Sequence, residues 1–125
     1  MPVQLTIYHP DRLVIGRASG DLSFAEIVEF GREIQNAGLV HYRKILDVID
    51  AKPTFTIEQF AMMIQIARAV QTDKKRGALA IVADPMRGQF ARLFAEIDVD
   101  GRPAQVFRSL HDARKWIAEN PPEPD

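Results

Sequence analysis

Asp47 lies inside an apolar run at 44–49, and Asp50 and Asp84 follow directly on the runs 44–49 and 77–83. If those runs are neighbouring strands, the carboxylates converge at the sheet end where α/β folds place their sites. Such a trio would hold a divalent cation or take up a phosphoryl group. A phospho-acceptor pocket on that plan also needs a lysine after a later strand. No Lys stands at the end of 77–83 or within 104–108. Asp47 has a second reading, as a structural carboxylate at a sheet edge or one accepting hydrogen bonds from a neighbouring loop. His9, His41 and His111 share no i, i+3 or i+4 spacing, so no helix carries a metal pair. There is no P-loop, no G-x-G-x-x-G after a strand and no G-x-S-x-G elbow. With no catalytic constellation and no cofactor motif, the sequence reads as non-enzymatic.

Two hydroxyls are more informative. Between the apolar run and the next amphipathic one stands D-A-K-P-T-F-T-I-E-Q-F, residues 50–60. Thr56-Ile57-Glu58-Gln59 is a capping box, with Phe55 and Phe60 at the staple positions. Helix initiation therefore accounts for Thr56. Thr54 lies outside the cap, beside Pro53, and is the better candidate for modification. A phosphate there would add up to about two negative charges beside a helix N-terminus, which the dipole favours. Arg87-Gly88, in the first turn of a later helix, is a weaker anion site; its plain reading is a surface Arg and a tolerated Gly.

These residues depend on the elements that hold them. Val3, Leu5 and Ile7 alternate with Gln4, Thr6 and Tyr8, a period of two that predicts a strand. After a turn at His9–Arg12, residues 13–18 form its hairpin partner, which Gly20-Asp21 closes. Ser23-Phe24-Ala25-Glu26 is a capping box with Leu22 and Ile27 as staple. It opens a helix that Gly38 stops. Strand 44–49 and a helix over 57–71 follow. Residues 77–83 have little alternation and no polar side chain, the pattern of a strand covered on both faces. Asp84-Pro85 opens a third helix, residues 104–108 form a last strand, and Ser109 caps a final helix. The order β-β-α-β-α-β-α-β-α predicts a single α/β domain over 1–119 with a mixed, largely parallel sheet. Residues 120–125 read as a frayed Pro-rich tail.

The helix over 57–71 has more apolar surface than one face needs. Phe60, Met63, Ile64, Ala67 and Val70 point to the sheet, while Met62, Ile66 and Ala69 extend the stripe. The arc is roughly 200°, against the roughly 100° of one packing face. The surplus either meets a neighbouring helix or forms a partner surface, with Met62, Met63 and Ile66 as candidates. A protein partner and a second copy of the chain are both open.

The chain has 125 residues and a formal net charge of -1, from 16 basic and 17 acidic residues. One domain of this length buries a self-supporting core. The balanced charge argues against nucleic-acid binding, which needs a basic surface. With no cysteine, disulfides and thiolate sites are excluded. No signal peptide and no membrane-length apolar run are legible, so a soluble cytoplasmic protein is expected.

Three stretches carry a family resemblance: R-L-V-I-G-R-A-S-G-D-L-S-F at 12–24, K-I-L-D-V-I-D at 44–50 and A-Q-V-F-R-S-L-H-D-A-R-K-W-I at 104–117. With the element order, they resemble the STAS domain, the fold of bacterial anti-sigma factor antagonists (the SpoIIAA-like group). The resemblance implies a regulatory interaction domain. In that family a kinase-type partner phosphorylates a Ser or Thr at the start of the second helix, and the charge switches binding. The loop falls on Asp50 to Thr56. The familiar Asp-Ser pair is absent, and Ala51-Lys52-Pro53 intervenes, so the chain resembles a divergent branch. The lipid-transfer CRAL-TRIO fold has a similar architecture and supplies the alternative, a small apolar ligand or lipid held in a closed cavity.

Overall fold

A computed structural model describes residues 3–56, 58–59, 61–62, 65, 77–83 and 104–121. The elements run β1 (Val3–Tyr8), β2 (Leu13–Leu22), α1 (Phe24–Asn36), β3 (Arg43–Pro53), β4 (Leu79–Val82), β5 (Ala104–Phe107) and α2 (Leu110–Glu119). The strands form one sheet in the order β1-β2-β3-β4-β5. β1 pairs antiparallel with β2, and every later neighbour is parallel. This is the hairpin-led, largely parallel α/β sheet expected from the sequence. Backbone at 58–59, 61–62 and 65 is helical. The expected helix from Asp84-Pro85 lies outside the described residues.

Local chemistry fixes the helix ends. The Ser23 hydroxyl accepts from the Glu26 N–H at 3.2 Å, and the Glu26 carboxylate accepts from the Ser23 N–H at 3.0 Å. Leu22 and Ile27, the staple pair, share one core cluster. At the other end Gly38 sits at φ +71, where a side chain would be strained. That conformation lets the Gly38 and Leu39 N–H groups reach the carbonyls of Gln35 and Ile34 at 3.1 and 3.0 Å, a Schellman motif. Leu39 then packs with Ile34 and Val14. α2 opens on the Ser109 hydroxyl, which accepts from the Asp112 N–H at 3.2 Å. Asn120 donates to the Trp116 carbonyl at 2.9 Å. The first residue of the expected tail is therefore a cap.

Alternation along the strands sends side chains to two faces. Leu46, Ala18 and Leu22 cluster with Ile27 of α1, while Ile45, Ala80 and Val82 cluster with Ala113 and Ile117 of α2. The two helices thus cover opposite faces. All four residues of β4 are buried, as its unbroken apolar sequence requires.

Two strands are longer than the hydrophobic pattern indicates. β2 continues through Gly20 and Asp21 to Leu22, and β3 continues past Asp50 to Pro53. Their pairing shifts between Arg17↔Asp47 and Ser19↔Asp50, so β3 carries one extra residue there. This β-bulge reverses the parity of β3. Ile49 packs on the α2 side, Asp50 meets Arg17, and Ala51 returns to the α1 core. Without the extra residue Ala51 would face away from the cluster that buries it.

Candidate functional site at the carboxyl end of the sheet

β1 pairs with β2 only as far as Ala18, and β4 pairs with β3 only as far as Asp47. Beyond those points β2 and β3 continue together from Ser19↔Asp50 to Leu22↔Pro53. Among the described residues nothing pairs with the outer edge of either strand there. The result is a two-stranded ribbon rising from the carboxyl ends of the parallel strands. Asp21, Asp50, Lys52, Thr54 and Thr56 are all exposed on it or on the loop it carries.

The residues of that loop are held individually. The Thr54 N–H and hydroxyl both donate to the Leu22 carbonyl, at 2.9 and 3.3 Å. Phe55 turns inward and is 4% exposed. The Thr56 hydroxyl accepts from the Gln59 N–H at 3.1 Å, and the Gln59 side chain accepts from the Thr56 N–H at 2.9 Å. This is the capping box read from the sequence, with Gln59 in the N3 role. Met62, beyond it, is 55% exposed. Met63, Ile66, Arg87 and Gly88 lie outside the described residues.

The aspartates have separate tasks. Asp47 is buried, and its carboxylate accepts from the Ile49 N–H at 3.2 Å, inside the bulge. It occupies a backbone donor that the irregular ladder leaves over. Asp50 is exposed and pairs with Arg17 at 3.5 Å. Asp84 lies outside the described residues. Among the described residues no three side chains gather to hold a metal ion, and no helix is long and apolar enough to cross a membrane.

The opposite end of the sheet holds groups that sequence reasoning missed. Arg43 and Lys44 open β3 and are both buried. The Arg43 guanidinium donates to the Ile117 carbonyl in the last turn of α2 at 2.9 Å and to the Asp11 carbonyl at 2.6 Å. Burial lowers its pKa, and the Asp11 carboxylate opposes that shift; a guanidinium stays charged regardless. α2 has no basic residue in its own last turn, so the sheet supplies the cation its dipole favours. Lys44 Nζ donates to the Val40 and Tyr42 carbonyls at 2.7 Å each. Beside them His9 Nδ1 lies 3.0 Å from the Tyr42 hydroxyl, and the His41 ring meets Tyr42 edge-on at 4.9 Å. Two of the three histidines thus meet through one tyrosine; His111 is apart on α2 and exposed.

Neither a family model nor a curated protein matches the sequence. Among solved structures, the chain is similar to an uncharacterised protein of the DUF3478 family from Shewanella loihica, described as having a SpoIIAA-like fold. The identity is 14%, the TM-score 0.60, and the match covers 92% of this chain and 91% of the other. At that identity the likeness is one of fold, and it agrees with the fold implied by the STAS resemblance. The chain has a SpoIIAA-like fold.

Proposed function

We propose that this chain is a non-enzymatic regulatory domain that binds a protein partner through the loop 50–56 and the helix beginning at Thr56. The observation that carries the reading is the β2–β3 ribbon. It lifts one short loop beyond the sheet, at the end where α/β folds place ligands. It also leaves two strand edges without partners among the described residues. The exposed Met62 adds an adaptable apolar contact next to it; Met63 and Ile66, the other candidates for that surface, lie outside the described residues. A kinase-type partner or a second copy would meet the same surface.

Thr54 is the regulatory candidate because of what a phosphate would do to its hydrogen bond. The hydroxyl donates to Leu22, and esterification removes that proton. A phosphate oxygen facing a carbonyl oxygen repels it, so modification at Thr54 would release the loop. Thr56 differs, because its oxygen accepts. A phosphate there would still accept from the helix N-terminus. The same modification would therefore loosen the loop at Thr54 and tighten the cap at Thr56.

The test is to purify the protein from its native cells, identify what accompanies it and take the mass of the 45–68 peptide. A protein partner retained by wild type but lost in Lys52→Glu and Met62→Asp variants supports the interface. Phosphate at Thr54 supports the switch. A co-purified apolar small molecule with no protein partner would instead favour the ligand-binding alternative and sink this reading.

A further inference from the structure

Among the described residues the sheet has two outer strands, β1 and β5, and they differ in how they are protected. β5 is short, Ala104–Phe107, and runs into the exposed Arg108. Short length and flanking charge are ordinary devices against unwanted pairing. β1 has neither. Its six residues, V-Q-L-T-I-Y, contain no charge and no proline. It pairs with β2 in register at all six positions, so no bulge twists the edge away. Ile7 and Tyr8 are 38% and 39% exposed. Only Met62 joins them as an exposed large apolar side chain among the described residues.

We propose that β1 is the seam of a homodimer, in which two copies pair this strand antiparallel and join their sheets edge to edge. Two features favour a second copy over a foreign strand. The strip is uncharged, so two copies meet without the like-charge opposition that commonly guards an edge. The strand is also self-complementary. Val3, Leu5 and Ile7 lie on the α1 face, and Gln4, Thr6 and Tyr8 lie on the other. In a twofold antiparallel pair the hydrogen-bonded partners have the same parity, so the axis passes at a residue. An axis at Leu5 pairs Val3 with the partner's Ile7 and Leu5 with the partner's Leu5. An axis at Thr6 pairs Thr6 with itself, Leu5 with the partner's Ile7 and Gln4 with the partner's Tyr8. Either way apolar meets apolar on one face, and on the other face the axis at Thr6 also sets Thr6 against Thr6, a pair that sheets favour.

A six-residue strand is about 20 Å long, so the seam falls short of the roughly 800 Å² per partner of a standard interface. The dimer is therefore concentration-dependent rather than obligate. It involves no residue of the loop 50–56, so it stands or falls independently of the interaction reading above.

The test is sedimentation of the full chain over a wide concentration range, with two variants at the exposed Thr6. Wild type should shift from monomer to dimer as concentration rises. Thr6→Lys and Thr6→Glu, each alone, should weaken self-association about tenfold or more by setting like charges across the seam. Mixing the two variants should restore it. Unchanged thermal melts of the monomers would show that folding is intact. A wild-type chain that stays monomeric throughout overturns the proposal, including the case in which the edge takes a strand from another protein. So does a dimer that both single variants leave untouched.

Discussion

The two ends of the sheet are built on opposite plans. At the amino end, charged side chains are buried and committed. Arg43 joins β3 to α2 and to the β1–β2 turn, and Lys44 holds the loop before its own strand. At the carboxyl end, the side chains of Thr54, Thr56 and Asp50 are exposed, and each makes one hydrogen bond or a solvated ion pair. Bonds among buried groups stabilise a fold but leave nothing free to meet a partner. Bonds at an exposed end contribute little stability and can be exchanged. The contrast predicts that amino-end substitutions change stability and leave binding intact, while carboxyl-end substitutions do the reverse.

The largest expected effect is at Gly77, whose absent side chain lets it pack on the chain before β3. A Cβ there would fall on the Tyr42 carbonyl and 2.7 Å from the Arg43 nitrogen, both backbone. Gly77→Ala is expected to cost about 3 kcal/mol, roughly 10 °C in the melting temperature. Arg43→Met comes next. It leaves the Ile117 and Asp11 carbonyls without their donor, at about 2 to 3 kcal/mol in a denaturant titration. Arg43→Lys should recover only part of this, because an ammonium lacks the guanidinium fork. Asp47→Ala removes the acceptor inside the bulge and should cost about 1 to 2 kcal/mol, with Asp47→Asn closer to wild type. Thr56→Ala and Thr54→Val are the smallest, about 1 kcal/mol or less each. If the carboxyl-end pair proved as destabilising as Arg43→Met, the contrast between the ends would be wrong.

The helix ends were legible because their chemistry is local. Ser23 with Glu26, Thr56 with Gln59, and Gly38 each meet their partners within five residues, and such spacings can be read directly. The strand ends were not. Asp50, Lys52 and Pro53 look like a loop, since they break the apolar pattern and proline lacks a ladder donor. They remain a strand because β2 runs alongside them. The bulge was invisible too. It moves Asp50 to the face of Arg17 and Ala51 back to the core, which no regular alternation would indicate. Arg43 meets groups 32 and 74 positions away, so no spacing could expose its role. In the sequence Arg43 is one basic residue before the apolar run 44–49, with no neighbour that marks it.

Thr54 leans on a carbonyl whose position in the chain has a consequence for signalling. Leu22 is immediately followed by Ser23, the cap of α1. The loop after β3 and the first turn of α1 therefore share one peptide unit. An event that displaces Thr54, whether a bound partner or a modified hydroxyl, is expected to be felt at once as faster amide exchange at Glu26 and Ile27. A message received on one loop would thus leave by a helix more than twenty residues earlier in the chain, with no domain movement to carry it.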